Sequence, residues 1–173
     1  MDPIKRSSAG NGSPAQVVNS VATILDRETD STIEEWLARV STDENLSTIE
    51  LDGKTRSCHL PQLFQELVHR LRHPGPLGAK GQPSRSAHKH GLTRHEQGYS
   101  AAMLVEESRL LQASIFDTLR KNDHLLDLSV FLTDAMVIAD EVDLQLAEAV
   151  TSFIGDAKTN AKSNDRLGPV TAQ

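Results

Sequence analysis

The chain has 173 residues, with 18 Lys and Arg against 24 Asp and Glu, a formal charge of −6. That acidic excess excludes a broad nucleic-acid footprint, because phosphate binding needs clustered Lys and Arg. Aromatics make up only 3% of the chain, which argues against base-stacking platforms and aromatic-rich sheets, whereas 38% apolar residues, mostly Leu and Ala, suffice for one helical core.

The start, Met1-Asp2-Pro3-Ile4-Lys5-Arg6, has no apolar stretch behind it and does not read as a secretory signal. Residues 1–13 read as a disordered tail rich in Gly, Ser and Asn. A helical domain is expected over 14–155. Pro14 opens the first helix after Ser13, and Val17, Val18, Val21, Ile24 and Leu25 share one face. Ser31 with Glu34 forms a capping-box pattern for a second helix carrying Ile33, Trp36, Leu37 and Val40. Residues 41–57 are polar, with one short turn near Ser47 and Glu50 that Asp52-Gly53 ends.

Pro61 suits the first turn of a third helix, on which Leu60, Leu63, Phe64, Leu67, Val68 and Leu71 line one face up to Pro74. Residues 74–87, with three prolines and three glycines, are expected as a long loop. A short helix follows over His88–Gln97, stopped by Gly98. Ser100 caps a long helix to about Arg120, with Tyr99 and Leu104 placed for a hydrophobic staple. Asn122-Asp123 turns the chain. Leu128, Leu132, Ala135, Ala139, Val142, Leu146, Ala149 and Phe153 then form a heptad seam. Gly155 and a disordered tail over 156–173 end the order. No apolar run reaches the roughly 18 residues of a membrane span. The expected fold is all-α: an antiparallel bundle of about four longer helices plus one or two short ones, in a soluble cytoplasmic protein.

The seven histidines raise three chemistries. Glu66, His69 and His73 lie at helical spacing for a metal, with His88 and His90 nearby, but the second Glu-x-x-His of a di-iron bundle is missing. His69 and His73 also stand near the negative end of their helix, as do Arg70 and Arg72. His95-Glu96 is superficially similar to the His-Glu of kinase dimerisation helices, but Gln97-Gly98 breaks the pattern, so phosphotransfer through His90 or His95 is a lesser alternative. Cys58 is the single cysteine, so no intrachain disulfide or CxxC site exists, and Cys58 is expected as a partly buried structural thiol rather than a nucleophile. No catalytic residue and no cofactor is expected.

The segment His90-Gly91-Leu92-Thr93-Arg94-His95-Glu96-Gln97-Gly98-Tyr99 stands apart. His90, Arg94 and Gln97 share one helical face. Glu106 and Glu107 follow on the next helix as acceptors for Arg94. Asp134, beside the apolar stripe of the last helix, is a further candidate partner. A buried hydrogen-bond network is one reading of these groups, and a polar pocket or contact face the other. His90, Arg94, Gln97, Tyr99, Glu107 and Asp134 are therefore the candidate site.

The run His90-Gly91-x-x-Arg94-x-x-Gln97-Gly98-Tyr99, followed by Leu104-x-x-Glu107-x-x-x-Leu111, resembles the RsbRD-type N-terminal domain family. Ile33-x-x-Trp36, Leu60-Pro61-x-Leu63 and the heptad helix with Asp134 extend the resemblance over roughly residues 15 to 155. It implies an all-helical bacterial sensory or regulatory module. Such modules stand before a STAS domain in stressosome-like RsbT co-antagonists, or before the transmitter of a histidine kinase. Only a polar tail follows Phe153 here, so the expectation is either a stand-alone copy whose partner, a STAS protein or a histidine kinase, acts in trans, or a fragment of a longer chain. The last helix offers a possible homodimer seam.

Overall fold

A computed structural model of the chain describes residues 20–79 and 82–166, with the side chains of Leu128 and of residues beyond Gly155 outside that description. The expected tail over 1–13 and the expected helix start at Pro14 therefore lie outside the described residues, as do Lys80 and Gly81 of the expected loop.

The described residues form seven α-helices: α1 (Val21–Arg27), α2 (Thr29–Thr42), α3 (Gly53–Ser57), α4 (Leu60–Arg72), α5 (Arg85–Glu96), α6 (Ala101–Lys121) and α7 (Leu128–Arg166), with single 3-10 turns at Leu46–Thr48 and Asp123–Leu125. No strand occurs among the described residues. The all-α bundle read from the sequence is thus the observed fold, with α3 and the two 3-10 turns as its short pieces.

Local chemistry explains most boundaries. The Ser20 hydroxyl accepts from the Thr23 amide and starts α1. Glu28 ends α1 and begins α2 at once, so the expected Ser31 capping box does not form. Instead the Ser31 hydroxyl donates to the Glu28 carbonyl one turn back. Asp52-Gly53 does not end a turn but opens α3, because the Asp52 carboxylate accepts from the Thr55 amide. Pro61 occupies the first turn of α4, where a missing N–H costs nothing. Ser84 caps α5 through the Ala87 amide, three residues ahead of the expected start. Gly98, at φ +81°, closes α5 in the left-handed conformation that glycine adopts without strain. The Ser100 hydroxyl accepts from the Met103 amide to begin α6. Ser100→Ala is expected to cost about 1 kcal/mol, read as a shift in urea midpoint without a change in slope.

The core is a single cluster. Ile24 and Leu25 of α1, Trp36 of α2, Leu60 and Phe64 of α4, Leu104, Ile115 and Leu119 of α6, and Ile138 and Val142 of α7 are all buried. Helix α7 lies against α4, α5 and α6, while α6 packs on α1 and α2. The tightest approach is α5 on α7. A Cβ on Gly91 would stand 2.0 Å from the Ala149 carbonyl oxygen and 2.2 Å from the Ser152 hydroxyl. Ser152 in turn donates to the His88 carbonyl at 2.9 Å. Pro76 and Gly78 of the loop after α4 are tied down: the Pro76 carbonyl accepts from Arg70, and the Gly78 amide donates to Asp140.

Two expectations for α7 need correction. Its heptad seam is not buried throughout: Leu132 is 71% exposed, and Met136, one turn on and outside the seam, is 50% exposed. The inward face instead runs through Val137, Ile138, Val142, Gln145, Ala149, Ser152 and Phe153. The reason is that α7 needs only one stripe against its neighbours, and Leu132 falls beyond its edge. The helix also continues past Gly155 to Arg166. One interior glycine costs about 1 kcal/mol relative to Ala, and the Ala and Lys residues that follow favour helix. At 39 residues the helix is about 58 Å long. Among the described residues no helix is long and apolar enough to cross a membrane.

Candidate functional site

Arg94 is fully buried, at 0% exposure. A guanidinium in that position needs every donor satisfied, and the fold supplies the acceptors from three directions. From α6, Glu107 accepts Nε at 2.9 Å and Nη2 at 2.6 Å in a bidentate pair. From α3, the Arg56 carbonyl accepts Nη2 at 2.6 Å. From the end of α5, Gln97 Oε1 accepts Nη1 at 2.7 Å. The guanidinium carbon also sits 4.8 Å from the centre of the Tyr99 ring, a cation–π distance.

Further side chains close around this pair. The Tyr99 hydroxyl accepts from Arg56 Nη1 at 2.6 Å, and Arg56 also donates to the Ile49 carbonyl. Trp36 Nε1 donates to the Glu107 carbonyl at 3.1 Å. His90 Nε2 lies 3.4 Å from Glu107 Oε2. Its ring stacks on that of His59, with centroids 3.7 Å apart and planes 18° from parallel. His59 stands at the N-terminus of α4 and meets the edge of Trp36. His90 Nδ1 is buried with no hydrogen-bond partner. A cavity of about 30 Å³ adjoins the rings, lined by Trp36, His59, His90, Glu107, Ser108 and Gln145 among others.

The electrostatics follow from burial. It acts to raise the Glu107 carboxyl, but hydrogen bonds from His90 and Arg94 and the Arg94 charge outweigh it and hold the group below the ordinary glutamate range. Burial pushes the His59 imidazole well below the usual value, and His90 and Arg94 push the same way. Burial also lowers His90, with Glu107 opposing and Arg94 adding to the drop. Burial and then the Glu107 charge raise the Tyr99 phenol.

Five of the six predicted site residues thus converge: His90, Arg94, Gln97, Tyr99 and Glu107. Asp134 does not join them. The α5 helix meets α7 at Ala149 and Ser152, fifteen or more residues further along, which is roughly 22 Å of helix. Asp134 is half-buried near the start of α7, where burial raises its carboxyl. Glu106, the other candidate acceptor, pairs with Arg109 instead. Sequence reading missed Arg56, His59 and Trp36 as members. Arg56 and His59 come from a polar stretch with no helical period, and Trp36 reads simply as core.

Nor do Glu66, His69 and His73 form a converging set. Glu66 accepts from the Ser84 hydroxyl at 2.6 Å, and the two imidazoles lie with centroids 4.5 Å apart and planes tilted by 31°. Among the described residues no group of three or more His, Cys, Asp or Glu is placed to hold a metal ion. Cys58 is exposed at the end of α3, not partly buried as expected, because the five-residue helix turns Arg56 inward in its place. His90 lines the cavity beside Glu107. The ring of His95 rests edge-on against Phe153.

The arrangement is a buried, hydrogen-bonded ion pair. What it does is join α3, α5 and α6 through one buried ion pair, with α2 attached through Trp36. Tyr99→Phe is expected to cost about 1–3 kcal/mol, because Arg56 loses a buried acceptor; thermal unfolding followed by circular dichroism measures it. No protein-family model, curated protein or solved structure matches the chain.

Proposed function

We propose that this chain is a non-catalytic signalling module of the cytoplasm, acting by contact with a partner signalling protein. The observation that carries this reading is the apolar face at the start of α7. Leu132 and Met136, one helical turn apart on one face, stand outward there, on the same helix whose later turns form the core. Such a face suits a protein contact. The resemblance to RsbRD-type domains supplies the partner class: a STAS protein or a histidine kinase in trans. The buried corner around Arg94 and Glu107 supports the reading in a second way. Its polar groups hold helices in one arrangement, and a shift there changes how α7 is presented.

The test uses the full chain as bait in its native cell, compared with a Leu132→Glu/Met136→Glu variant. Capture of a STAS protein or a kinase by the native chain, lost in the variant, supports the proposal. Equal capture by both, or none of either class, overturns it. Light scattering after size exclusion decides whether the same face forms a homodimer: a strict monomer at high micromolar concentration removes that version.

A further inference from the structure

The network of Arg94 leaves two histidines without a structural explanation. His59 and His90 lie on different segments, one at the α3–α4 corner and one on α5, and meet only through their stacked rings. Neither ring completes a hydrogen-bond chain. With Nε2 donating toward Glu107, His90 Nδ1 is left as a buried lone pair facing no donor. An unsatisfied buried polar atom of this kind typically costs about 1–3 kcal/mol. A pair of apolar rings of similar size would fill the space without it.

The charges around the pair decide what one more proton does. Arg94 on α5 carries a positive charge, and Glu107 on α6 balances it. Arg56 on α3 carries a second positive charge, held only by neutral acceptors, the Tyr99 hydroxyl and the Ile49 carbonyl. From α2 the neighbour is the uncharged Trp36. From α7 it is Gln145, which donates to Glu141 and to the Leu63 carbonyl. The cluster is therefore already positive by one. A proton on either imidazole makes it positive by two, in a site where Glu107 has both oxygens engaged by Arg94.

We propose that the stacked His59–His90 pair is an acid-sensitive latch, in which proton uptake at mildly acidic pH parts the α3–α4 corner from α5. The corner is the side that moves. Helix α5 stays on α7, held by the Gly91 contact, by the Ser152 bond and by the His88–Glu148 pair. Separation relieves the repulsion between Arg56, Arg94 and the new imidazolium, and exposes the unpaired Nδ1 to water. The adjoining cavity, at about 30 Å³, is large enough for a water molecule.

The direction of the effect is fixed by linkage. Both imidazoles are held below the ordinary histidine value of 6.5, so the opened corner binds more protons than the closed one just below that value. Closure is fully favoured above about pH 6.5 and weakens as the pH falls from there toward the closed-state values. Glu107 is held low and titrates beneath this range. Glu141, raised by burial and bonded to Gln145 beside the cavity, is a carboxyl that can mimic the response, and so serves as the control. This proposal deepens the signalling reading by naming protons as an input. It is measured on the chain alone, so it stands or fails apart from partner binding.

The test follows the full chain from about pH 7.5 to 5.5. Trp36, the single tryptophan, reports the His59 environment by fluorescence. Amide hydrogen exchange over 53–60, corrected for the intrinsic effect of pH, reports the corner. Protection there is expected to fall about tenfold, the linkage of one proton across one pH unit, with a change in Trp36 emission. His59→Phe, which keeps a stacked ring and leaves only His90 to take up a proton, is expected to weaken both changes, while Glu141→Gln keeps them in full. Constant protection in the native chain, or a response lost in Glu141→Gln but kept in full in His59→Phe, overturns the latch. If His59→Phe does not fold, imidazole NMR of the native chain decides. His59 and His90 charging only as the corner opens supports the latch, and charging near 6.5 in a closed corner contradicts it.

Discussion

Arg94→Ala is expected to destabilise the fold by about 3–5 kcal/mol, the usual cost of removing one partner from a buried ion pair. Three losses combine. Glu107, at 3% exposure, is left as a buried carboxylate without its bidentate partner. The Arg56 carbonyl and Gln97 lose their shared donor. A void also replaces the guanidinium beneath the Tyr99 ring. For a domain of this length the change corresponds to roughly 6–20 °C in melting temperature. It is also a large share of a typical total stability of about 5–15 kcal/mol. Calorimetry checks it, with exposed Arg109→Ala as the comparison: Arg109 holds the surface carboxylate of Glu106, and solvent screens such a pair.

Gly91→Ala is expected to be nearly as damaging, for a different reason. The added methyl carbon would stand 2.0 Å from the Ala149 carbonyl oxygen and 2.8 Å from its carbonyl carbon. Those are backbone atoms of α7 and cannot rotate aside. Relief requires moving α5 bodily away from α7, which breaks the Ser152 bond to the His88 carbonyl and loosens the packing of Ala87. In an ordinary exposed helix the same change would stabilise by up to about 1 kcal/mol. Here overpacking costs about 3 kcal/mol, at the upper end of its usual range. The sign of the measured change in urea midpoint therefore tells whether α5 lies as close to α7 as described.

The sequence carries the helices through their period and their caps. Leu60 to Leu71, Ser100 and Gly98 each state a rule that the fold obeys, and the decamer from His90 to Tyr99 places five site residues within reach of one another. What it does not carry is depth along a helix. Asp134 and Leu132 share the apolar pattern of α7, yet only the packing of α5 against Ala149 decides that Asp134 lies far from Arg94 and that Leu132 faces outward. Arg56 and His59 were illegible for another reason. They sit in a five-residue helix and at the start of the next, where no periodicity develops and burial is set by tertiary contact alone. Asp52 illustrates the same limit: Asp-Gly reads equally as the end of a turn and as the cap of α3.

The account rests on Arg94 and Glu107 acting as one unit that joins α3, α5 and α6. A double-mutant cycle with Arg94→Met, Glu107→Leu and the pair tests this most directly. Each single change is expected to cost about 3–5 kcal/mol, while the double variant recovers most of one of them, because removing both partners leaves no buried charge behind. Costs that simply add, to within about 0.5 kcal/mol, would show that the two side chains are not coupled and would contradict the buried corner on which every later inference depends.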